Sequence, residues 1–142
     1  MKLTVIAALV AGAVFTAATR LGPTAPGQPA VPVAVAVTTY NAAGARLTQT
    51  IHERNAITRL ANDVDRLLPA RNPSFLCPPD NGSRYEVVFS YRNGGRTTLI
   101  ARQTGCEQVV IAGEYRGSGA WSNPRLLEDL DALFPPSWQT HF

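Results

Sequence analysis

The sequence predicts a two-layer α+β domain: an antiparallel sheet of about five strands in the order ββα-βββα, with two helices on one face. Three observations carry that expectation. Short segments alternate apolar and polar residues and are separated by Gly, Asn and Pro. Two longer segments, Ile57 to Leu68 and Leu126 to Phe134, repeat instead at helical spacing. The chain of 142 residues is long enough for one sizeable core and too short for two.

The N-terminus does not belong to that core. Met1-Lys2 precedes an uncharged apolar run from Leu3 to Ala18. A short basic start, an apolar stretch and small residues at its end (Thr16, Ala18) read as a secretory signal cleaved after Ala18. The alternative is an uncleaved anchor, for which the run is short against a hydrocarbon slab of about 30 Å; after cleavage no stable membrane insertion is expected. No cysteine follows it to carry a lipid, and the expected location is secreted. Thr19 to Pro32 holds Pro23, Pro26, Pro29 and Pro32 at a three-residue spacing, the pattern of an extended polyproline spacer. The expected organisation is a signal peptide over 1–18, a Pro-rich spacer over 19–32, a single α+β domain over 33–136 and a C-terminal tail over 137–142.

Within the domain, Val33, Val35, Val37 and Thr39 alternate with Ala34, Ala36, Thr38 and Tyr40, a strand by its period of two. Asn41-Ala42-Ala43-Gly44 is turn chemistry, and Arg46 to His52 alternates again, so the two segments make a first hairpin. In the helix that follows, Ile57, Leu60, Ala61, Val64, Leu67 and Leu68 form one stripe, with Asn55 as N-cap and Pro69 as terminator. Pro69 to Ser83 is a Pro/Asn/Gly-rich connection containing Cys77.

The second half opens on a strand with Tyr85, Val87, Phe89 and Tyr91 on one face. Asn93-Gly94 is a strong hairpin signal. As the two central residues it pairs Phe89 with Thr98 and Val87 with Ile100; a loop of Asn93-Gly94-Gly95 shifts that pairing by one. Arg96 to Arg102 is the return strand, and Glu107 to Ala112 completes a meander. A loop of small residues, Gly113 to Ser122, leads to the second helix, capped by Asn123 and started by Pro124. Leu126, Leu127, Leu130, Leu133 and Phe134 form its stripe, and Pro135-Pro136 ends it.

Charge narrows the function classes. The net charge is +3, and the only lysine is Lys2, so beyond the signal twelve arginines face ten carboxylates. Arg59/Asp63 and Arg125/Asp129 alternate in sign at helical spacing, unlike a concentrated basic face, so no nucleic-acid partner is expected. Cys77 and Cys106 are the only cysteines, and in an oxidising compartment they are expected to form a disulfide. A zinc site built from them with His52 and His141 lacks paired ligand spacing, so neither metal nor cofactor is expected.

No catalytic constellation emerges. His52-Glu53 begins like a zincin motif, but the second histidine position is Ala56. Gly117-Ser118-Gly119 lacks the spacing of a nucleophile elbow. Glu107 and Glu114 have no reason to converge as an acid and base. The Tyr85/Phe89/Tyr91 stripe reads as the inner face of a half-buried strand before it reads as a stacking platform. Trp121, in the loop before the second helix, and Trp138, beyond it, are the better candidates for exposed binding aromatics. The reading is a non-catalytic exported domain acting by binding an extracellular or envelope protein or polymer. A small extracellular hydrolase is the enzyme alternative.

Two resemblances add to this. Cys77-Pro78-Pro79-Asp80-Asn81-Gly82, then Tyr85, Phe89-Ser90-Tyr91, Gly95 and Gly105-Cys106, resemble a group of small secreted or lipoprotein domains from actinobacteria with a Cys-Pro-x-Asp-x-Gly … Gly-Cys layout. That resemblance implies a fold neighbourhood and an extracytoplasmic address. The order hairpin, helix, Cys-Pro loop, hairpin, second Cys is also similar to the Streptomyces subtilisin inhibitor family, small exported proteins with a five-stranded antiparallel sheet and two helices. By that similarity the loop after Cys77-Pro78 presents a scissile bond at Pro79–Asp80, which makes Asp80 a candidate contact residue and the protein a candidate proteinase inhibitor.

Overall fold

The computed structural model describes residues 31–68, 77–118 and 124–139. The expected signal, nearly all of the expected spacer, the proposed caps Pro69 and Asn123, Trp121 and His141 lie outside them. Strands β1 (Pro32–Tyr40), β2 (Arg46–Ile51), β3 (Arg84–Tyr91), β4 (Arg96–Arg102), β5 (Gln108–Ile111) and β6 (Glu114–Ser118) form one sheet in the order β2-β1-β3-β4-β5-β6. Every neighbouring pair is antiparallel. Helices α1 (Arg54–Asp65) and α2 (Pro124–Asp131) complete the α+β fold, with six strands in place of about five.

The sixth strand comes from a turn that the composition conceals. Ala112 and Gly113 both have positive φ, 50° and 85°. They form a two-residue loop closed by Ile111 opposite Glu114. Two consecutive left-handed residues give the primed turn whose twist suits a hairpin. The chain therefore folds straight back along β5, where a loop was expected. Gly117 and Ser118 lie within this strand.

The β3–β4 register matches neither expected pairing. Phe89 lies opposite Thr97 and Val87 opposite Leu99. The loop is Arg92-Asn93-Gly94: Tyr91 N–H donates to Gly95 O at 2.9 Å and Gly94 N–H to Tyr91 O at 3.0 Å. Gly94 takes the left-handed position, φ 82°, as expected of a three-residue hairpin loop ending in glycine. The first hairpin repeats the device through Ala42-Ala43-Gly44, with Gly44 at φ 80° and Asn41 N–H donating to Ala45 O at 3.0 Å. This register turns Leu99 and Ala101 inward, where both are fully buried.

The core is the inner face of the sheet plus the two helix stripes. Val35, Val37, Tyr85, Val87, Leu99, Ala101 and Val109 are at most 1% exposed. Ile57 and Leu60 of α1, Leu67 just past it, and Leu126, Leu127 and Leu130 of α2 cover them. Each such side chain contributes about 1.5–3 kcal/mol on burial.

Five details differ from expectation. Pro32, placed in the spacer by sequence, is the buried first residue of β1. Val33 is 45% exposed, because a bulge between Pro32 and Ala34 breaks the alternation. The α1 N-cap is Glu53 rather than Asn55, and its side chain makes no capping hydrogen bond. The same helix ends at Asp65, where the tighter Leu67 N–H to Val64 O bond of 3.1 Å closes it; Leu67 stays buried and Leu68 turns outward, 62% exposed. Asp63, read as part of a sign-alternating charge pattern, is buried.

Candidate functional site

Two surfaces carry the polar chemistry: the end of the sheet where β3 begins and β4 finishes, and the face of the sheet opposite the helices.

At the sheet end, Cys77 and Cys106 are joined as a disulfide, with Cα atoms 5.0 Å apart. Residues 77–82 between that bridge and β3 are exposed, yet tightly tied. Asp80 Oδ1 accepts from Gly82 N–H at 2.9 Å and from the Thr104 hydroxyl at 3.0 Å, and Asp80 Oδ2 pairs with Arg102. Asn81 Oδ1 accepts from Ser83 N–H at 2.9 Å, and Asn81 N–H donates to Thr104 Oγ1 at 3.1 Å. The Thr104 hydroxyl also lies 2.9 Å from Asn81 Oδ1, so its one proton serves either Asp80 or Asn81. The Gly82 N–H holds the Asp80 carboxyl below the usual aspartate range; partial burial opposes this, and Arg102 and Thr104 reinforce it. Gly82 and Gly105 take positive φ, 85° and 74°, which lets the two turns meet at Asp80.

Behind this loop the inner face of the sheet becomes polar. Gln103 Nε2 donates to Thr39 Oγ1 at 3.1 Å in the interior, and Gln103 N–H donates to Ser83 O at 3.0 Å. Ser83 Oγ is buried without a hydrogen-bond partner among the described residues. Sequence reasoning missed this layer, although Thr39 shares the parity of Val35 and Val37 and so faces inward.

The second surface is the outer face, which neither helix covers. Cross-strand pairing aligns Thr48, Thr38, Glu86, Ile100, Val110 and Tyr115 in one row across all six strands. A neighbouring row runs Arg46, Tyr40, Arg84, Arg102. The Arg84 guanidinium stacks on the Tyr40 ring at 4.2 Å, and the Tyr40 hydroxyl donates to Glu86 Oε2 at 3.3 Å. Thr38 and Thr48 share a hydrogen bond of 2.9 Å. The result is an area without a helix layer that offers hydroxyls, guanidinium groups, the apolar Ile100 and Val110 and, at its edge, the exposed ring of Tyr115.

The residues singled out from sequence fall as follows. Asp80 sits at the centre of the tied loop. Trp138 is half-buried in a 3-10 turn (Pro136–Trp138) and packs against the core. His52 follows edge strand β2 and Glu114 opens edge strand β6, with four strands between them, about 24 Å apart. Glu107 and Glu114 flank the two ends of β5, about 13 Å apart along the strand. Tyr85 and Phe89 are core residues. Among the described residues, no group of three or more His, Cys, Asp or Glu side chains gathers as a metal site. Near the start of β1 a cavity of about 400 Å³ lies between the end of α1 and the sheet; its lining is mostly apolar, with Asp65 and Arg116 as charged members.

Comparison of the chain with protein-family models, curated proteins and solved structures finds no match.

Proposed function

We propose that the protein acts by binding, outside the cytoplasm, and that the uncovered sheet face is its contact surface. The observation that carries this reading is the placement of both helices on one side of a six-stranded sheet. The opposite face is left without a helix layer, with its polar side chains organised in rows. An open sheet face of hydroxyls, arginines and a tyrosine suits a protein or polymer surface better than a small molecule, which takes a concave site. The disulfide supports an oxidising compartment, and the proposed export signal supplies the route. The Asp80 carboxylate, with one oxygen held by Gly82 and Thr104 and the other by Arg102, is already employed in structure. That favours binding over hydrolysis.

The test is capture from culture supernatant with wild-type protein and with an Arg46→Glu/Tyr115→Ala variant. A partner retained by the wild type and lost by the variant is expected; equal capture removes the reading. Mass spectrometry of the medium is expected to find a chain beginning near Thr19, and recovery only of the intact intracellular chain contradicts export.

The exposed, disulfide-braced loop at residues 77–82 favours a second reading, proteinase inhibition with Pro79–Asp80 as the presented bond. Titration of subtilisin with the purified protein decides it, since no loss of activity at large molar excess eliminates it.

A further inference from the structure

β6 is an edge strand: among the described residues the sheet ends there. An uncovered edge presents unpaired backbone groups, and this one has a particular arrangement. Ala112 N–H donates to Thr98 O on β4 at 3.1 Å. Backbone groups alternate sides along a strand, so those of Ile111 point to β6, and Ile111 and Glu114 close the two-residue turn as a hydrogen-bonded pair. Glu114 therefore directs its N–H and C=O toward β5. Tyr115, one residue on, directs both outward, away from the sheet. The regular stretch stops after Arg116, because pairing shifts between Gln108 and Val109 and leaves Gly117 as the extra residue of a bulge.

The side chains select the same point. Glu114 and Arg116 share the helix-side face, 3.7 Å apart, with the glutamate side chain 78% and the arginine side chain 41% exposed. Tyr115, 59% exposed, projects from the open face. A second copy of Glu-Tyr-Arg running antiparallel with Tyr115 opposite Tyr115 sets each Glu114 against the other copy's Arg116. Shifting by two residues sets Arg116 against Arg116 or Glu114 against Glu114. Only the Tyr115-centred register joins the two outward-facing backbone groups and satisfies both charges.

We infer that β6 is a self-complementary edge through which two copies of this chain pair. The two-fold axis passes between the Tyr115 residues, which exchange two backbone hydrogen bonds, and two Glu114–Arg116 pairs flank them. The contact is short, so the dimer is weak and reversible. A two-fold perpendicular to the sheet keeps both helix layers on one side, so the two open faces become one twelve-stranded surface. The inference rests on the edge alone and stands whether or not the open face binds a partner.

Sedimentation equilibrium of the purified protein over a concentration series is the test, with far-UV circular dichroism confirming that each variant is folded. The wild type is expected to show a monomer–dimer equilibrium with a dissociation constant below about 1 mM. Arg116→Glu places like charges opposite and is expected to weaken it about tenfold or more. The swap Glu114→Arg/Arg116→Glu is expected to restore it, as is mixing the single variants Glu114→Arg and Arg116→Glu. Amide exchange reads the register: Tyr115 N–H gains protection with concentration, whereas Arg116 N–H does not change. A wild type that stays monomeric, a dimer indifferent to Arg116→Glu, or a swap that fails to restore pairing overturns the inference.

Discussion

The Tyr85 hydroxyl donates to the Asp131 carboxylate, tying the start of β3 to the C-terminal turn of α2. Tyr85 has no solvent exposure, and its ring stacks on Phe134 at 5.8 Å between centroids, with the planes inclined at 19°. Gln139 completes the joint: its amide donates to the carbonyls of Asp131 and Phe134 at 3.0 and 3.1 Å, satisfying acceptors that the helix end leaves over. One tyrosine thereby fixes the second helix on the sheet through both its ring and its hydroxyl.

Alkaline pH tests that joint. Burial first, and then the bond to Asp131, push the Tyr85 phenol well above its ordinary value. The fold therefore holds the neutral phenol, while the unfolded chain ionises near pH 10. The contribution of Tyr85 is complete below about pH 10 and falls away as pH rises beyond it. Tyr85→Phe is expected to cost about 1–2 kcal/mol at neutral pH and to show a shallower loss of stability above about pH 10 than the wild type. Urea denaturation across pH measures both; parallel curves for the two proteins contradict the assignment.

Acid acts at the opposite end of the titration range, through Asp80. Its folded-state value is lowered, so its stabilising contribution is present above the ordinary aspartate value of about 3.9 and is lost as pH falls below it. Asp80→Asn keeps the shape and removes the charge. The variant is expected to lose less stability than the wild type on acidification below about pH 4, and an unchanged acid limb argues against a carboxylate held by the Gly82 N–H, with Arg102 and Thr104 in support.

Gly105 is the backbone counterpart of Asp80. At φ 74° a side chain is strained, and an added Cβ would stand 3.1 Å from the Asp80 Cβ. Gly105→Ala is expected to destabilise the fold by about 1–2 kcal/mol. Gly44→Ala carries the same conformational penalty in open space, so the excess at Gly105, read from urea midpoints, reports the contact.

At Ala112 the prediction reverses sign. The residue takes φ 50° without the freedom of glycine, so Ala112→Gly is expected to stabilise by about 0.5–1 kcal/mol, even after the greater flexibility glycine gives the unfolded chain. A lower urea midpoint in the variant would contradict the primed turn, and with it the placement of β6.

Legibility from sequence follows where local chemistry is decisive. Val35 and Val37, the Ile57–Leu60 stripe and the Leu126–Leu130 stripe are visible because burial imposes a period. Pairing details are not, because they depend on which residue accepts a left-handed conformation. Asn93-Gly94 advertises a two-residue turn, yet Gly94 ends a three-residue loop; Ala112-Gly113 advertises nothing and makes the primed turn. The site was less legible than the fold. Asp80 was marked only by a resemblance, and the partners that hold it, Arg102 and Thr104, lie more than twenty residues away. Arg84 and Tyr40 meet only because β3 pairs with β1, a long-range choice that periodicity does not encode.

The disulfide gives the last prediction, because it connects elements that the sheet keeps apart. Cys77 precedes β3 and Cys106 precedes β5, and β4 lies between those strands. Strands on either side of a common neighbour are about 10 Å apart, too far for a direct bridge. The turn from Pro78 to Ser83 carries Cys77 across the end of β4, where Thr104 and Gly105 receive Asp80 and Asn81. The bridge spans a sequence separation of 29, and closing a loop of that size stabilises by roughly 3–4 kcal/mol through the unfolded ensemble. Reduction is expected to lower the melting temperature by many degrees while the helices remain partly formed at temperatures where the sheet has melted. Cys77→Ala/Cys106→Ala should match the reduced protein, since both lack the same constraint. Two titratable thiols per chain in the native protein, or a melting temperature unchanged by reductant, would show that the bond does not form.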